Sequence, residues 1–233
     1  MPLKKFELTT DLSVTVYKRR GSKSIRLSIG QDGNVKVTMP LWLPYAAGTA
    51  FAESKRDWIL AQRVVPNNMF EGQAIGKSHT LHFKVSISAA KVSSRLGDGK
   101  IIITHPLKTP ATDLAVQTLA ERAAIRTLRK EAMTLLPPRL KEHAERHEFN
   151  YSDVAIKQLK TRWGSCDQNK RIALNLYLMQ LPWDLIDYVL LHELVHTEHM
   201  NHGTGFWERL EQVRPGAKTF RARMRKHKPV VLR

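Results

Sequence analysis

Two histidines and a glutamate, at positions 192, 196 and 193, are the residues of this chain best suited to chemistry. His192 and His196 stand four residues apart, so on an α-helix they lie within about 40° of each other on one face, one turn apart. Two imidazoles held in this way can bind one Zn²⁺. Glu193 lies about 100° round the helix from His192, where it borders the metal and can take a proton from a water that the metal activates. This pattern is the HExxH motif of zinc hydrolases.

A catalytic zinc needs a third protein ligand and one open position, and two later histidines could supply that ligand. His202 follows the motif, and its neighbours Asn201 and Gly203 suit a chain that leaves a helix. His199 lies seven residues after His192, on the same helix face, but three ligands along one straight helix cannot easily surround a single ion. We therefore predict His202 as the third ligand and keep His199 as the alternative.

The segment that carries the motif has the pattern of a helix buried on all sides. Pro182 suits its first turn. Apolar residues surround the motif at Leu190, Leu191, Leu194 and Val195. Histidines on a buried helix need polar partners, and a metal ion is such a partner. The alternative, a helix with incidental surface histidines, does not explain the apolar neighbours, so we predict a metal site.

Positive charge is the second informative feature. Lysine and arginine number 38 and aspartate and glutamate 21, which gives a net charge of +17. Such a balance favours polyanionic partners, chiefly nucleic acid or nucleotides. Residues 214–233 contain many cations and no acid, and we predict that Arg221, Arg223, Arg225 and Lys226 contact phosphates there. The alternative is a generally basic, solvated surface.

The cellular setting is predicted from cysteine content and hydropathy. Cys166 is the single cysteine, which excludes an intramolecular disulfide and agrees with a reducing cytoplasm; we expect its thiol to be packed as a small hydrophobe. No apolar run is long enough to span a membrane, and the N-terminus lacks the apolar core of a signal peptide. We therefore expect a cytoplasmic protein with no membrane partner.

Hydrophobic periodicity predicts a β-rich region over residues 1–110. Alternating apolar residues on either side of Asp32-Gly33 indicate a hairpin, and Asp98-Gly99 marks another turn. A helix is predicted over residues 45–63, and Trp42 and Trp58 are predicted to be core residues.

Residues 111–233 are predicted to form a mostly helical region with a basic tail. A long helix starts near Thr112 or Asp113, either of which can cap it, and Pro137-Pro138 are expected to interrupt it. His143 and His147 form another pair four residues apart, but with charged neighbours and no glutamate between them at the base position. We interpret them as surface histidines.

Several segments of the second half together form a recognisable set. They are Lys160-Thr-Arg-Trp-Gly-Ser-Cys166, Arg171-Ile-Ala-Leu-Asn-Leu176, the stretch from Pro182 to Leu191, His192-Glu-Leu-Val-His196 and Asn201-His-Gly-Thr-Gly-Phe-Trp207. This set resembles the YgjP-type metallopeptidase-like proteins, which are relatives of the SprT-like zinc proteases. The resemblance covers residues 151–207 most closely and extends to the rest of the chain. The family often has serine where this chain has Gly203.

The resemblance implies an α+β, zincin-like metallopeptidase fold with an N-terminal β-rich region. It implies that His192, His196 and His202 bind Zn²⁺, that Glu193 is the general base and that the substrate is a peptide or protein. It further implies that a strand over residues 172–178 offers its backbone to an extended substrate.

Two other functions remain open from the sequence. Activated water can also attack phosphorus, and the basic surface would attract a nucleotide, which suggests a nucleoside triphosphate pyrophosphatase-like phosphohydrolase. The other alternative is a basic nucleic-acid-binding protein with a non-catalytic metal site. Glu193 argues against the latter, because a structural zinc needs no base and usually has four protein ligands.

Overall fold

The chain folds into two compact units, Met1–Asn68 and Met69–Arg233. The structure, a computed structural model, describes residues 3–9, 12–30, 34–62 and 68–227. The expected mixture of helices and strands is confirmed, in the form of several small sheets with helices. The boundary predicted from composition, at residue 110, differs from the boundary between these compact units, because the strands within residues 69–110 pack against the long helix that follows them.

The first unit is a four-stranded sheet with two helices. Its elements are β1 (Leu3–Thr9), β2 (Leu12–Arg19), β3 (Arg26–Ile29), β4 (Val35–Pro40), α1 (Tyr45–Ser54) and α2 (Arg56–Gln62). The strand order is β1-β2-β4-β3. The predicted β3–β4 hairpin is confirmed by its antiparallel register, with Ile29 opposite Val35, while Asp32-Gly33 lie outside the described residues. Gly48 of α1 lets the helix lie directly on β2 and β4, because a Cβ there would stand 2.9 Å from Met39 and Val16.

The prediction that Trp42 and Trp58 are core residues is wrong. Trp42 stands in the turn after β4 and is 77% exposed, and Trp58 is 50% exposed. On α2 the neighbouring Ile59 takes the inward position and is fully buried, and Trp58 lies about 100° round the helix from it. The size of an aromatic side chain does not by itself place that side chain in the core.

The second unit contains two sheets and four helices. Its elements are β5 (Ala74–Ile75), β6 (His79–Ser86), β7 (Ser93–Gly97), β8 (Lys100–Pro106), α3 (Leu114–Arg146), β9 (Asp153–Lys157), β10 (Gly164–Cys166), β11 (Arg171–Asn175), a 3-10 helix (Leu176–Gln180), α4 (Trp183–Val195), α5 (Thr204–Val213) and α6 (Ala217–Met224). The strand orders are β5-β6-β8-β7 and β10-β11-β9. The predicted turn at Asp98-Gly99 is confirmed, with φ of 49° and 69° at its two residues, as a two-residue hairpin loop requires.

The long helix α3 is continuous, so the predicted interruption at Pro137-Pro138 is wrong. Asp113 caps its start as predicted, because its side chain accepts a hydrogen bond of 2.8 Å from the Ala115 N–H. The helix has 33 residues and both prolines lie inside it. Leu136 and Leu140 on either side of the prolines are fully buried, and this packing offsets the lost backbone hydrogen bonds. Within the described ranges, no helix combines the length and the apolar character that a membrane span needs.

The sheet β10-β11-β9 corrects the expected substrate-facing strand. Strand β11 ends at Asn175, and the chain then turns into the 3-10 helix. Because β11 pairs with β10 on one side and β9 on the other, its backbone groups are already used. Strands β10 and β9 are the two edges of this sheet, and β10 lies against α4.

Candidate metal centre

Helix α4 presents the first two histidines at its C-terminal end. The helix follows Pro182, whose extended backbone (φ −54°, ψ 148°) precedes the first turn, and its last turn contains His192. His196 is the residue at which the helix ends. The chain then tightens, with the Thr197 N–H bonded to the Leu194 carbonyl at 2.9 Å. The chain changes direction here, which allows the histidines that follow to approach His192 and His196 from a different side.

The structure brings His192, His196 and His202 together. One potential ligand atom from each lies within 4.8 Å of the others, and the Nε2 atoms of His192 and His202 are 3.1 Å apart. His202 belongs to the loop between α4 and α5. The Trp207 indole N–H donates a bond of 3.1 Å to the His202 carbonyl, and the Phe206 ring packs 4.6 Å from the His202 ring. The start of α5 therefore holds this loop.

His199 contributes its backbone rather than its ring. Its carbonyl lies 3.0 Å from Nδ1 of His196. Because a carbonyl can only accept, Nδ1 of His196 must carry the proton, which leaves Nε2 with a free lone pair. The His199 ring packs instead near Gly205, where a Cβ would stand 3.2 Å from the ring. Among the described residues, the cluster of potential ligands does not include His199.

The donor set of this cluster fits a zinc ion. Two imidazole nitrogens that share one tetrahedral zinc are ~3.3 Å apart, since each zinc–nitrogen bond is ~2.0–2.1 Å long, and the observed separation is 3.1 Å. Burial, followed by the nearby charges of His196 and His202, lowers the pKa of His192 to about 3. Burial also lowers the pKa of His196 and of His202. The three imidazoles therefore stay uncharged at neutral pH, as metal ligands must.

Glu193 lies beside the cluster as a buried carboxyl group. It is 5% exposed, and its Oε2 atom has no hydrogen-bond partner within the described chain. Burial raises the pKa of Glu193 to about 8, while the charge of Arg162 opposes the rise. An unpaired buried oxygen is costly, so this atom points to a partner such as water or a cation.

Strand β10 closes the site from the other side. A Cβ on Gly164 would stand 2.6 Å from Oε1 of Glu193, so glycine allows the strand to touch the carboxyl. A cavity of about 280 Å³ lies between β10 and the histidines. It is lined by Arg162, Gly164, Ser165, Cys166, His192, Glu193, His196, Met200 and His202. Burial raises the pKa of the Cys166 thiol to about 11, so the thiol is protonated at neutral pH and is a poor nucleophile.

Comparison with known proteins decides the family. The model of the YgjP-like metallopeptidase domain matches residues 23–227. The chain belongs to this family. The expectation drawn from the sequence motifs is thereby confirmed, and membership of the YgjP-like family supports a metal-dependent hydrolase that acts on peptides.

Two solved structures are similar to part of this YgjP-like chain. The crystal structure of the metallopeptidase zymogen of Pyrococcus abyssi abylysin is 26% identical and covers 44% of this chain and 93% of its own, with a TM-score of 0.34. The zymogen of Methanocaldococcus jannaschii jannalysin is 22% identical and covers 44% of this chain and 94% of its own, also with a TM-score of 0.34. No curated protein matches the chain.

The basic residues proposed for nucleic acid differ in their surroundings. The Arg221 guanidinium stacks 4.6 Å from the Trp207 ring centre, and Arg223 forms an ion pair of 2.5 Å with Asp184. Both therefore already have contacts within the fold. Arg225 and Lys226 follow α6 and are exposed.

His143 and His147 lie outside the three-histidine cluster, but the interpretation that both are surface residues is wrong. His143 is 8% exposed, and its Nε2 lies 3.1 Å from the Asp187 carboxylate. Arg139 forms two hydrogen bonds with the same carboxylate. Because α4 carries Asp187, this network joins the long helix to the helix of the HExxH motif.

Sequence reasoning assigned no role to Arg162 or Asn175 at this YgjP-like site. The side chain of Asn175 holds the loop before β10, and Arg162 in that loop lines the cavity. Both stand inside the quoted motif segments, which was the available signal. Their roles depend on contacts between residues far apart in the chain, which local periodicity does not reveal.

Proposed function

We propose that this chain is a zinc-dependent peptidase in which His192, His196 and His202 bind Zn²⁺ and Glu193 is the general base. The observation that carries the proposal is the convergence of three uncharged imidazoles beside a buried carboxyl group with one unpaired oxygen. The same observation supports a zincin-like arrangement of residues 111–233, in which one helix carries the motif and an edge strand lies beside it.

The choice of zinc follows from the donors. Three imidazoles with room for one further ligand suit zinc better than magnesium or calcium, which prefer oxygen. When bound, zinc supplies Lewis-acid chemistry that polarises a carbonyl oxygen and makes water easier to deprotonate. The bond from His196 to the His199 carbonyl fixes the ring orientation and makes its Nε2 a better donor.

Glu193 performs the proton transfers. Its carboxylate takes a proton from the attacking water and later gives that proton to the departing amine. Burial raises the pKa of Glu193 above the usual range of a carboxyl group. The pKa is thereby closer to neutral pH, and a general base works best when its pKa is near the working pH. A dication beside it would favour the ionised form that the first step needs.

An extended substrate can pair with the free edge of β10. No strand pairs with this edge within the described part of the chain, and the strand borders the cavity that contains Glu193 and the histidines. A peptide that adds to a sheet edge forms backbone hydrogen bonds largely independent of its sequence, so we propose broad recognition of unfolded segments.

The test compares wild-type protein with Glu193→Gln. The variant keeps the size of the side chain but cannot accept a proton, so we expect hydrolysis of casein to fall by about 10²- to 10⁴-fold while the zinc content stays the same. Metal is measured by elemental analysis, and activity is measured on casein and on nucleoside triphosphates in parallel.

Glu198→Gln is the matched control. Glu198 is an exposed residue of the same segment that pairs with Arg209 at 3.0 Å, so its loss should leave casein hydrolysis unchanged. Phosphate release from nucleotides with no peptide cleavage would replace the proposal with the nucleotide phosphohydrolase. Loss of zinc from Glu193→Gln would give Glu193 a structural role instead.

A further inference from the structure

Peptide hydrolysis places negative charge on an oxygen for which the proposed mechanism names no protein partner. When water attacks the scissile carbonyl carbon, the π electrons of the C=O bond move to its oxygen. Glu193 takes the proton of the water. The electron pair on that oxygen then returns to re-form the C=O bond as the C–N bond breaks, the electrons of the C–N bond pass to nitrogen, and nitrogen takes the proton from Glu193. A preorganised donor aimed at the anionic oxygen usually gives a large share of the rate enhancement.

The loop before β10 has a backbone that is held by Asn175. Asn175 is fully buried. Its Nδ2 donates bonds of 2.8 Å to the carbonyls of Leu159 and Arg162, and its backbone N–H donates to the Trp163 carbonyl at 2.9 Å. The loop therefore has a fixed backbone on both sides of Arg162.

Arg162 lines two cavities that are both also lined by His192 and Glu193. It lines the cavity of about 280 Å³ beside the three histidines. It also lines a second cavity, of about 210 Å³, beside Tyr188, His192 and Glu193. Among the described residues, no other lysine or arginine lines either cavity.

The guanidinium of Arg162 is available to a ligand. Within the described residues, the hydrogen bond found for Arg162 is made by its backbone carbonyl and not by its side chain. The residue is exposed. Its positive charge lowers the pKa of Glu193, whereas burial raises it.

The other side-chain donors near the site have different surroundings, and the Ser165 hydroxyl, which lines the larger cavity, carries no charge. Arg221 stacks on the Trp207 ring, and the Tyr188 ring, which is 5% exposed, packs 5.9 Å from Phe220. The Cys166 thiol is a weak donor.

We propose that Arg162 is a catalytic residue that donates N–H bonds to the carbonyl oxygen of the scissile peptide as that oxygen becomes negative. This inference rests on the proposed peptidase function. The guanidinium stays protonated throughout, since arginine does not lose its proton in proteins. Its planar set of donors suits an oxygen anion better than the single ammonium of lysine.

The kinetic test uses peptides blocked at both ends, so that no terminal carboxylate can attract Arg162. We expect Arg162→Ala to lower kcat by about 10²- to 10³-fold with little change in KM, and the zinc content to stay constant. Added guanidinium ion should restore part of the lost rate. Lys160→Ala, which removes an exposed cation from the same loop, is the control and should behave as wild type. A loss confined to KM, or seen only with free C-termini, would overturn the assignment.

A binding test stands apart from peptide hydrolysis. A phosphinic peptide carries an anionic tetrahedral centre, and the matching alcohol has a tetrahedral centre without charge. Calorimetry on zinc-loaded protein should show that Arg162→Ala weakens binding of the phosphinic peptide by about 10²-fold and weakens binding of the alcohol far less. Equal weakening of both, or a wild-type protein that does not prefer the anion, would contradict the role of Arg162. Absence of any peptide cleavage would contradict the peptidase function alone.

Discussion

Gly164 controls the distance between β10 and the proposed base. An added Cβ would stand 2.6 to 2.8 Å from three atoms of the Glu193 side chain, closer than atoms can pack. Either the carboxyl or the strand must move, and the cavity between them changes with it. The absence of a side chain at this position is therefore a requirement of the site.

We expect Gly164→Ala to lower activity on casein at least tenfold, because misplacing a catalytic group by a fraction of an ångström is costly. Overpacking should also reduce the free energy of unfolding by about 1–3 kcal/mol, measured by urea denaturation. Gly203→Ala is the control, because nothing lies within 4 Å of a Cβ there and its φ of −75° suits alanine. Full activity in Gly164→Ala would show that Glu193 tolerates displacement.

At this scale the sequence predicted the residues that depend on local spacing. His192, Glu193 and His196 follow from helical periodicity, and His202 from its place just after the helix. The choice between His202 and His199 rested on a sound geometric argument, since the helix ends at His196. The role that we propose for Arg162 could not be predicted, because Asn175, which fixes its loop, acts across the sheet.

Helix α4 is attached to α3 through Asp187. Burial alone would raise the pKa of Asp187, but its hydrogen bonds with His143 and Arg139 outweigh that effect and lower the pKa to about 2. A carboxyl group with a depressed pKa in the folded state stabilises that state above its unfolded pKa of ~3.9. This contribution is lost as the pH falls through the folded value.

We expect Asp187→Asn to reduce the free energy of unfolding at neutral pH by about 2–4 kcal/mol, because Arg139 and His143 lose their anionic partner. The difference from wild type should shrink as the pH falls from about 4 towards 2, and is measured by urea denaturation across that range. Asp184→Asn is the matched control. Asp184 lies on the same helix, and its side chain is 39% exposed in its pair with Arg223, so we expect a change below about 1 kcal/mol. A difference independent of pH would exclude ionisation of Asp187 as the cause.

The elements themselves were only partly predictable. The hairpins and the Asp113 cap follow from short-range rules and are found as predicted. The rule that proline ends a helix failed at Pro137-Pro138, because its cost of ~3 kcal/mol is small beside the packing of a helix whose inner face is buried along its whole length. Tertiary packing is invisible in a local window.

The whole molecule has a large positive net charge, and some of its cationic side chains form contacts within the fold. Arg221 and Arg223 have side-chain contacts within the fold, whereas no side-chain contact is found for Arg225 and Lys226 among the described residues, so we expect these two to meet phosphates most readily. We expect binding of a single-stranded oligonucleotide to weaken as KCl rises.

Replacing Arg225 and Lys226 by alanine should reduce the salt slope by about 0.7 per lost contact, measured by fluorescence anisotropy over a series of KCl concentrations. The control replaces Lys141 and Arg146, which pair with Glu145 and Glu142 on the surface of α3. An unchanged slope, or an equal change in both variants, would make the charge a matter of solvation alone.

At the scale of the whole chain, composition predicted the classes of element but not how they group. Residues 69–110 have the same β-rich pattern as the residues before them, yet their buried side chains, among them Ile75, Leu81 and Ile101, share a core with α3. Shared burial depends on contacts far apart in sequence, so a change in composition at residue 110 could not reveal it.

The three proposed ligands all come from residues 192–202, whereas Arg162 and Gly164 belong to an earlier part of the chain. Closing so short a loop takes only ~10–100 ns and costs little entropy, while docking β10 onto α4 requires most of the second unit to fold. The proposed metal ligands and the groups that face them on β10 therefore depend on different contacts, the former on packing between α4 and α5 and the latter on docking of β10. A change that displaces β10 should leave metal binding in place while peptide cleavage is lost.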